Sequence, residues 1–380
     1  MLRRGLLAAT VAAATRGLSQ ERRYRACLIG HTGHGNYGHD WDTSFRGFGN
    51  IDVLGVADPD EAGRAKAQSR SGARRAYADF RRMLDQERAD LVGIFTRWAD
   101  QRVPMVRAAA EHGAHIIMEK PFAATLEEAD AMARIARERG IRIQVGHTTR
   151  TSAVVRRMVE MVKSGEIGDV LEMRTRGKED RRAGGEDMMV LGSHLFDLIR
   201  MFAGDPRWAF AHVSRDGADI GPPDFRRGSE PVGPVAGNQI AAMFGFDGGV
   251  HGYFSSKASA QTNGPRFGFT VFGTKGLLYL PLSFEQFGGR PSILRSESWR
   301  SGGGAGEWQP LDPQMETRAE ANASMVRDLL QAIEHDREPS CSARDGLWTV
   351  EMATAVYQSQ LTRRPVELPL RDRRSPALEP

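Results

Sequence analysis

The chain has 380 residues, of which 40% are hydrophobic and 26% charged, a balance typical of a globular protein with about two domains. Its formal net charge is +4, and Arg3, Arg4 and Arg16 contribute three of these charges within residues 1–20, which contain no acidic residue. The remaining body is nearly neutral, which excludes the basic field that nucleic-acid binding needs.

Residues 1–20 resemble a twin-arginine export signal. Arg3 and Arg4 precede an apolar stretch rich in Ala and Thr that runs to Thr15 and is too short to span a bilayer. We therefore expect an exported, periplasmic protein; the alternative is a basic tail on a cytoplasmic one. No later segment is long and apolar enough to predict a membrane span.

Residues 21–147 alternate short apolar runs with amphipathic stretches. This alternation predicts an α/β domain with a doubly wound parallel sheet of the Rossmann type. Cys27 lies in the first run and is expected to be buried rather than bridged to Cys341. The predicted strands are residues 26–30, 53–57, 91–95, 115–118 and 142–145, and the predicted helices are residues 61–70, 102–112 and 125–139.

Residues 148–370 have a different pattern, in which several strands follow isolated helices. It predicts an α+β domain with a large, mostly antiparallel open sheet, followed by a tail at residues 371–380. Residues 217–237 and 290–306 are rich in Gly, Pro and Ser and are interpreted as surface loops. The predicted helices are residues 151–164, 191–203, 321–335 and 345–361, and the predicted strands are residues 170–175, 239–246, 249–255, 267–272 and 277–280.

A glycine-rich turn after the first predicted strand points to a dinucleotide site. Such glycines let the backbone approach a pyrophosphate, which the N-terminus of the next helix would face. Two registers are possible: Gly33-x-Gly35-x-x-Gly38 matches the fingerprint by letter, whereas Gly30-x-Thr32-x-x-Gly35, which we prefer, fits the strand end better. The candidate residues for binding the cofactor at this turn are Gly30, His31, Thr32, Gly33, His34 and Gly35.

Asp58 ends the second predicted strand, where an acidic residue binds the ribose 2′-hydroxyl. This acid favours NAD over NADP; the alternative is that Asp58 only caps the helix that follows. His31, His34 and His39 lie near Asp40 and Asp42, but their spacing matches no zinc signature, so we predict no metal. Histidines in a loop facing phosphate are expected to donate hydrogen bonds instead.

Two further segments carry candidate catalytic residues. Lys120 follows a strand in Glu119-Lys120-Pro121, where it would hold the substrate hydroxyl and move its proton as hydride transfers; the alternative is a solvated lysine. His194 is either a core histidine or, if a carboxylate orients it, an acid or base. At helical spacing, Glu186, Val190, His194 and Asp197 share one face.

With these motifs the chain resembles the Gfo/Idh/MocA oxidoreductases, the family of glucose-fructose oxidoreductase and inositol dehydrogenase. The resemblance covers nearly all of the chain after residue 20, and it rests on the order and spacing of the motifs together. The motifs are the turn at residues 30–35, Glu119-Lys120-Pro121, Ser164-Gly165-Glu166-Ile167-Gly168, Gly192-x-His194-x-x-Asp197, Gly273-Thr274-Lys275-Gly276, Ala353-x-x-x-Tyr357-x-Ser359 and Pro365-Val366-Glu367-Leu368-Pro369.

The resemblance implies NAD-dependent chemistry on a sugar-like alcohol, with Lys120 and His194 at the reaction centre. It also implies a cis bond before Pro121 and an open sheet that forms homodimers or homotetramers. Two departures stand out. Val190 occupies a position where many members have Asp, so Glu186 or Asp187 would supply the carboxylate, or the chemistry differs.

The second departure follows the fourth predicted strand, where Thr96 is retained but Arg97 and Trp98 replace the usual sequence. We expect Trp98 to stack on the nicotinamide or on a sugar face. Thr96, Glu119 and Lys120 complete the predicted cofactor contacts, together with Trp98.

Three functions are compatible with these residues. The first is oxidation or reduction of a sugar, polyol or sugar derivative with NAD. The second is cleavage of a glycoside through transient oxidation by bound NAD, and the third is a non-catalytic protein that binds the nucleotide. Residues 176–185 and 217–237 are expected to set specificity. A basic run there would bind an acidic sugar or, as we expect, form a solvated surface: Arg174, Arg176, Lys178, Arg181 and Arg182.

Overall fold

The computed structural model describes residues 22–258, 266–282, 290–296, 306–311 and 316–375. The predicted export signal and the last five residues of the tail lie outside the described residues. Within the described ranges, no helix combines the length and apolar character needed to cross a bilayer.

The first domain is built on a parallel sheet whose strands are buried apolar runs; all four residues of Leu91–Ile94 are buried. The strands are β1 (Tyr24–Ile29), β2 (Ile51–Ala57), β3 (Arg75–Tyr77), β4 (Leu91–Ile94), β5 (His115–Met118) and β6 (Ile143–Val145), in the order β3-β2-β1-β4-β5-β6. The helices are α1 (Glu61–Ser71), α2 (Phe80–Glu87), α3 (Arg102–Glu111) and α4 (Leu126–Arg139). The predicted doubly wound sheet is confirmed. The short edge strand β3 and helix α2 were not predicted, because β3 has only three residues and two of them are exposed.

The segment between β1 and β2 contains no α-helix. The prediction that the N-terminus of a helix faces a pyrophosphate here is therefore wrong. Residues Gly38–Thr43 form a short 3-10 segment in which His39 and Asp40 have φ angles of 47° and 58°. Two consecutive residues in the left-handed region cannot continue a right-handed helix. The segment is instead anchored by Trp41, whose ring stacks on Phe95 with centroids 5.6 Å apart.

The second domain is an α+β unit built on one large sheet. Its helices are α5 (Ala153–Lys163), α6 (Gly185–Val190), α7 (Gly192–Ala203), α8 (Arg318–Glu334) and α9 (Ala343–Thr362). Its strands are β7 (Val170–Arg176), β8 (Trp208–Arg215), β9 (Ala218–Asp219), β10 (Arg226–Arg227), β11 (Pro234–Val235), β12 (Gln239–Gly245), β13 (His251–Lys257), β14 (Gly268–Gly273), β15 (Gly276–Pro281), β16 (Ser292–Arg295), β17 (Trp308–Pro310) and β18 (Val366–Glu367). The sheet order is β17-β16-β15-β14-β7-β13-β12-β8-β18, with β9 beside β8. Among the described pairs, β7 and β13 are parallel and the others antiparallel, which confirms the predicted sheet type.

Helices α7 and α9 cover one face of this sheet. Phe196 of α7 packs against Phe244 and Phe254, and Ser359 of α9 accepts a hydrogen bond from the backbone N–H of Ala211. Helix α9 also contacts α4 and β6, which ties the second domain to the first.

The prediction of a surface loop at residues 217–237 is incomplete. Strands β10 and β11 pair within this segment, and Glu230 and Val232 between them are buried. The predicted continuous helical face from Glu186 to Asp197 is also interrupted, because α6 and α7 are separate helices on either side of Leu191.

Candidate active site

Lys120 lies at the C-terminal edge of the parallel sheet, directly after β5, and its peptide bond to Pro121 is cis. The residue is 4% exposed, and its Nζ donates a hydrogen bond to the backbone carbonyl of Val190 at 3.2 Å. Burial lowers the pKa of this amine, although the carboxylates of Glu119 and Glu230 oppose the shift. A lowered pKa makes the neutral amine, which accepts protons, more accessible near neutral pH.

Glu119 supports the lysine from the preceding position and is fully buried. Its carboxylate accepts a hydrogen bond from the backbone N–H of Lys120 at 2.8 Å and another from Nδ1 of His39. Burial alone would raise the pKa of Glu119, but His39, Lys120 and Arg102 bring it down to about 2. The position of Gly38 requires glycine, because a Cβ there would overlap this carboxylate. The carboxylate predicted to contact the cofactor is therefore a fixed negative charge with partners in the protein.

Arg102 holds the two loops that leave β4 and β5. Its guanidinium is fully buried and donates hydrogen bonds to the carbonyls of Thr96, at 2.8 Å, and of Pro121. Burial lowers the pKa of Arg102 to about 10. The sequence does not predict this role, because an arginine in the first turn of a helix normally faces solvent.

His194 and Lys120 line the same cleft, which encloses about 300 Å³; we call it the Lys120 cleft. His194 is half-buried in the first turn of α7, and the described residues offer its imidazole no hydrogen-bond partner. Burial, Lys120, His147 and His39 keep the pKa of His194 well below its usual range. The imidazole is therefore neutral at physiological pH. Other residues that line the cleft are His39, Thr149, Lys178, Glu316, Arg318 and Asn322.

A buried chain of polar side chains lies behind His194. The ring of His147 meets that of His194 edge-on, with centroids 5.3 Å apart, and its Nδ1 lies 3.5 Å from Sγ of Cys341. The thiol donates in turn to Asp197 at 3.9 Å, and Arg150 donates to both oxygens of Asp197. Burial lowers the pKa of His147 to about 4, although Asp197 opposes the shift.

This arrangement determines the tautomer of His147. Since the Cys341 proton goes to a carboxylate, the sulfur is free to accept the Nδ1 proton, and Nε2 carries a lone pair. Nε2 is buried and has no hydrogen-bond partner among the described residues. The atoms of His147, Asp197 and Cys341 lie within 4.8 Å of one another, but Arg150 already occupies both Asp197 oxygens. We therefore interpret the group as a hydrogen-bond chain rather than a metal centre.

None of the three predicted carboxylates contacts His194 or Lys120 in the described structure. Asp197 reaches His194 only through Cys341 and His147. Glu186 accepts hydrogen bonds from the backbone of Ser229 and Glu230 at 2.9 and 3.2 Å. For Glu186 and Asp187 the physical reason is that α6 ends at Val190 and α7 begins at Gly192, so one continuous helical spacing does not hold across Leu191.

Asp187 also binds a loop. It accepts hydrogen bonds from the backbone of Glu179 at 3.0 Å and of Lys178 at 3.3 Å, and from the hydroxyl of Ser256 at 2.6 Å. Burial raises the pKa of Asp187. These contacts place Lys178 at the wall of the Lys120 cleft.

The glycine turn packs tightly against its own protein at all but one position. A Cβ on Gly30 would overlap the ring of Tyr37, and one on Gly35 would overlap the backbone of Trp98. Gly33 has a φ of +83°, and apart from its chain neighbours no atom of the described residues lies within 4 Å of where its Cβ would be. The space beside Gly33 is therefore where this turn leaves room for a phosphate, although the Gly33 N–H already donates to Oδ1 of Asn36 at 2.9 Å.

Asp58 organises this turn. Its carboxylate accepts hydrogen bonds from the backbone N–H of Thr32 at 3.0 Å, from the Thr32 hydroxyl at 2.8 Å and from the backbone N–H of Asp60 at 3.0 Å. Asp58 is fully buried, whereas Asp60 caps α1 by accepting from Gly63. The N-cap of α1 is therefore Asp60, and the predicted alternative, in which Asp58 caps this helix, is wrong.

The histidines of the turn face different partners. Nδ1 of His31 hydrogen-bonds Oε1 of Gln101 at 2.8 Å, and Nε2 of His34 hydrogen-bonds Asp100 at 2.9 Å. The ring of Trp98 contacts His34 edge-on, and its indole Nε1 is buried without a described partner. Thr96 is buried and donates to the carbonyl of Trp98 at 3.1 Å, so its hydroxyl supports the loop.

These residues fit a dinucleotide. A second cavity of about 320 Å³, the Asp58 cavity, is lined by Gly30, His31, Asp58, Phe80 and Pro104. Residues 30–39 run from this cavity, past the empty space beside Gly33, to His39 in the Lys120 cleft. The Asp58 cavity would hold the adenosine end of a dinucleotide and the Lys120 cleft its nicotinamide end, at the edge where ligands of doubly wound sheets bind.

Comparisons with known proteins agree with this geometry. Residues 25–147 match the model of an oxidoreductase family with an NAD-binding Rossmann fold, and residues 155–279 match the GFO/IDH/MocA C-terminal domain. D-apiose dehydrogenase of Paraburkholderia graminis is 26% identical over 94% of this chain and 93% of its own length. 1,5-Anhydro-D-fructose reductase of Ensifer adhaerens is 26% identical over 69% of this chain and 74% of its own length. A levoglucosan dehydrogenase in complex with NADH and levoglucosan shares the fold, with a TM-score of 0.73 and 20% identity over 92% of this chain and 100% of that one.

Proposed function

The chain belongs to the Gfo/Idh/MocA oxidoreductase family, and we propose that it transfers hydride between NAD and an alcohol carbon of a sugar, polyol or sugar derivative. The observation that carries the proposal is the Lys120 cleft, in which a buried amine and a neutral imidazole meet beside the glycine turn. Curated relatives include dehydrogenases and reductases named for sugars, which supports this substrate class.

Residues of both cavities would hold the cofactor. Gly30, His31 and Asp58 would line the adenosine side, and the space beside Gly33 would admit the diphosphate. His34 and Trp98 lie beside the turn, and the free indole N–H of Trp98 is a donor for a ligand oxygen. NAD, when bound, supplies the acceptor or donor of hydride.

Lys120 would handle the proton. In the oxidative direction its neutral amine accepts the proton of the substrate hydroxyl, and the resulting ammonium still donates to the Val190 carbonyl. His194 would hold the same hydroxyl by hydrogen bonding, since its ring nitrogens have no described partner. Asp197 would act at a distance by fixing the tautomer of His147 behind His194.

The experiment that tests this function starts with the purified protein. The ultraviolet spectrum and mass of the copurifying ligand are expected to be those of NAD or NADH. A panel of sugars and polyols with added NAD⁺ should then yield NADH. Cleavage of a glycoside without NADH accumulation would favour the redox-assisted lyase, and a loaded protein inactive on the whole panel would favour a non-catalytic nucleotide-binding protein.

We also propose that the chain forms a homodimer or homotetramer through the uncovered face of its large sheet. Phe210, Met243, Tyr253, Arg174 and Tyr279 belong to one row of cross-strand neighbours on this face. Phe210 is 42% exposed. Light scattering is expected to give a multiple of the chain mass, and Phe210→Glu should lower it.

Export is proposed on the pattern of residues 1–20 alone. Arg3 and Arg4 precede the apolar stretch as in a twin-arginine signal. Cell fractionation is expected to place the protein in the periplasm, and replacement of both arginines by lysine should retain it in the cytoplasm.

A further inference from the structure

Two lysines line the Lys120 cleft without a close carboxylate partner. The described contacts of the Lys120 amine are limited to the Val190 carbonyl at 3.2 Å. Lys178 lies 3.9 Å from Asp180, at the outer limit of an ion pair, and its side chain is 31% exposed. In the described structure the Lys178 ammonium is thus only weakly compensated, and the Lys120 amine has no ion-pair partner.

The carboxylates nearest to these lysines already have other cationic partners. Arg182 donates to both oxygens of Asp180, at 2.6 and 3.0 Å. Arg182 also donates to Glu230 at 2.9 Å, and Arg97 pairs with the other Glu230 oxygen at 3.4 Å. The bidentate arginine outcompetes Lys178 for Asp180, because a guanidinium matches the geometry of a carboxylate.

The other charged groups of the cleft do not supply the missing partner. Glu119 pairs with His39, and Arg318 pairs with Asp40 at 3.2 Å. Glu316 lines the cleft but accepts the backbone N–H of Ala153 at 2.7 Å. Among the described residues, Lys178 is therefore left with the 3.9 Å contact to Asp180, although Glu316 also carries a negative charge into the cleft.

A neutral donor in the cleft is also left over. Thr149 is 6% exposed, and its buried hydroxyl has no hydrogen-bond partner among the described residues. A buried hydroxyl without a partner costs free energy unless a ligand satisfies it. Together with Lys178, it offers the ammonium and hydroxyl pair that suits a carboxylate.

We propose that the substrate is a polyhydroxy acid, such as a sugar acid, whose carboxylate is bound by Lys178 and Thr149 while its reacting hydroxyl faces Lys120 and His194. This inference rests on the proposed function. The basic run at residues 174–182 was expected to be a solvated surface, whereas Lys178 lies on the cleft wall.

The test compares matched pairs of probes with the full chain saturated with NAD⁺. D-Glucose is paired with D-glucuronate, and D-galactose with D-galacturonate. We expect kcat/KM for the acid to exceed that for the parent sugar by about tenfold or more, the scale of one partly buried ion pair. Lys178→Met should bring this ratio close to one through KM, with kcat changed less than about threefold. Lys163→Met, an exposed lysine on α5, is the matched control and should keep the ratio.

Equal or better use of the neutral sugars by the wild type would overturn the inference and leave the proposed function intact. A preference that survives Lys178→Met would also overturn it. If no probe reduces NAD⁺, the wider panel of sugars and polyols decides the proposed function, and calorimetry with protein loaded with NADH decides the inference separately. Acids that bind about tenfold more tightly than their parent sugars would support it; equal affinities, or no binding of either acid, would refute it.

Discussion

The glycine turn and the Lys120 cleft lie along the same edge of the parallel sheet but satisfy their polar atoms differently. In the turn, Asp58 accepts three hydrogen bonds from the protein, and His31 has a side-chain partner. In the cleft, the hydroxyl of Thr149 has no partner within the described ranges, and the Lys120 amine has a single carbonyl.

This difference separates two tasks. The polar side chains of the turn have hydrogen-bond partners within the protein, so the turn is already ordered in its binding conformation. Cofactor binding therefore costs little conformational entropy there. A cleft with unpartnered donors gains its missing hydrogen bonds only from a ligand. We therefore expect substitutions in the turn to act on fold stability and cofactor affinity, and substitutions in the cleft to act on substrate binding and turnover.

Lys120→Met is expected to give the largest effect. It removes the proton acceptor but keeps most of the buried side-chain volume, so kcat should fall by at least about 100-fold, the usual contribution of a general acid or base. Stopped-flow assays measure kcat, and fluorescence titration should show NADH affinity changed less than about threefold. Retention of most of the turnover would remove Lys120 from the mechanism.

Asp58→Asn tests the turn. The amide replaces one accepting oxygen with a donor that faces the N–H groups of Thr32 and Asp60, so we expect a loss of about 1–3 kcal/mol in unfolding free energy and weaker NADH binding. Urea denaturation and fluorescence titration measure the two effects.

Asp60→Asn is the matched control for this change. Asp60 is an exposed N-cap that accepts from Gly63, and Asn caps helices nearly as well. The control should change stability by less than about 0.5 kcal/mol. Equal losses in both variants would show that Asp58 has no special role in the turn.

The sequence predicted the two regions unequally. Apolar residues that recur at the spacing of a strand or a helix identify these elements, because burial and hydrogen bonding act locally along the chain. Five of the six strands of the first sheet were predicted from such patterns. Lys120 and His194 were identified because each belongs to a motif with a characteristic position. The prediction of a helix after the glycine turn was wrong, because His39 and Asp40 adopt left-handed backbone angles that the sequence pattern does not indicate.

The surroundings of Lys120 and His194 could not be predicted. His147 and Cys341 are 194 positions apart and meet only because α9 returns to the first domain. Glu230 was assigned to a loop, since its short strands lack an apolar period. Glu186 and Asp187 were placed near His194 by helical spacing, which the break at Leu191 invalidates.

His147→Gln tests the support behind the cleft through its pH dependence. The folded pKa of about 4 lies below the value of about 6.5 for an exposed histidine, so the unfolded chain binds more protons between these values. The stability contribution of neutral His147 is complete above about pH 6.5 and is lost as the pH falls towards 4. The wild type should therefore lose about 2 kcal/mol more than the variant between pH 7 and pH 5.

Urea denaturation at each pH measures this difference between wild type and variant. The comparison cancels carboxylates such as Asp187, whose raised pKa acts in both proteins. Parallel pH curves for the two proteins would mean that His147 does not titrate in this window.

Thr149→Val should have the smallest effect on stability. Because the Thr149 hydroxyl has no partner in the described structure, its replacement by a methyl group of the same shape should leave the unfolding free energy within about 0.5 kcal/mol or raise it. Thr175→Val is the matched control: that hydroxyl donates to the Tyr253 carbonyl at 2.7 Å, so its loss should cost about 1 kcal/mol or more. Denaturation curves of the two variants decide whether the cleft really leaves a donor for its ligand. If Thr149→Val destabilises the protein as much as Thr175→Val, the hydroxyl has a partner within the protein and the contrast between turn and cleft fails at this residue.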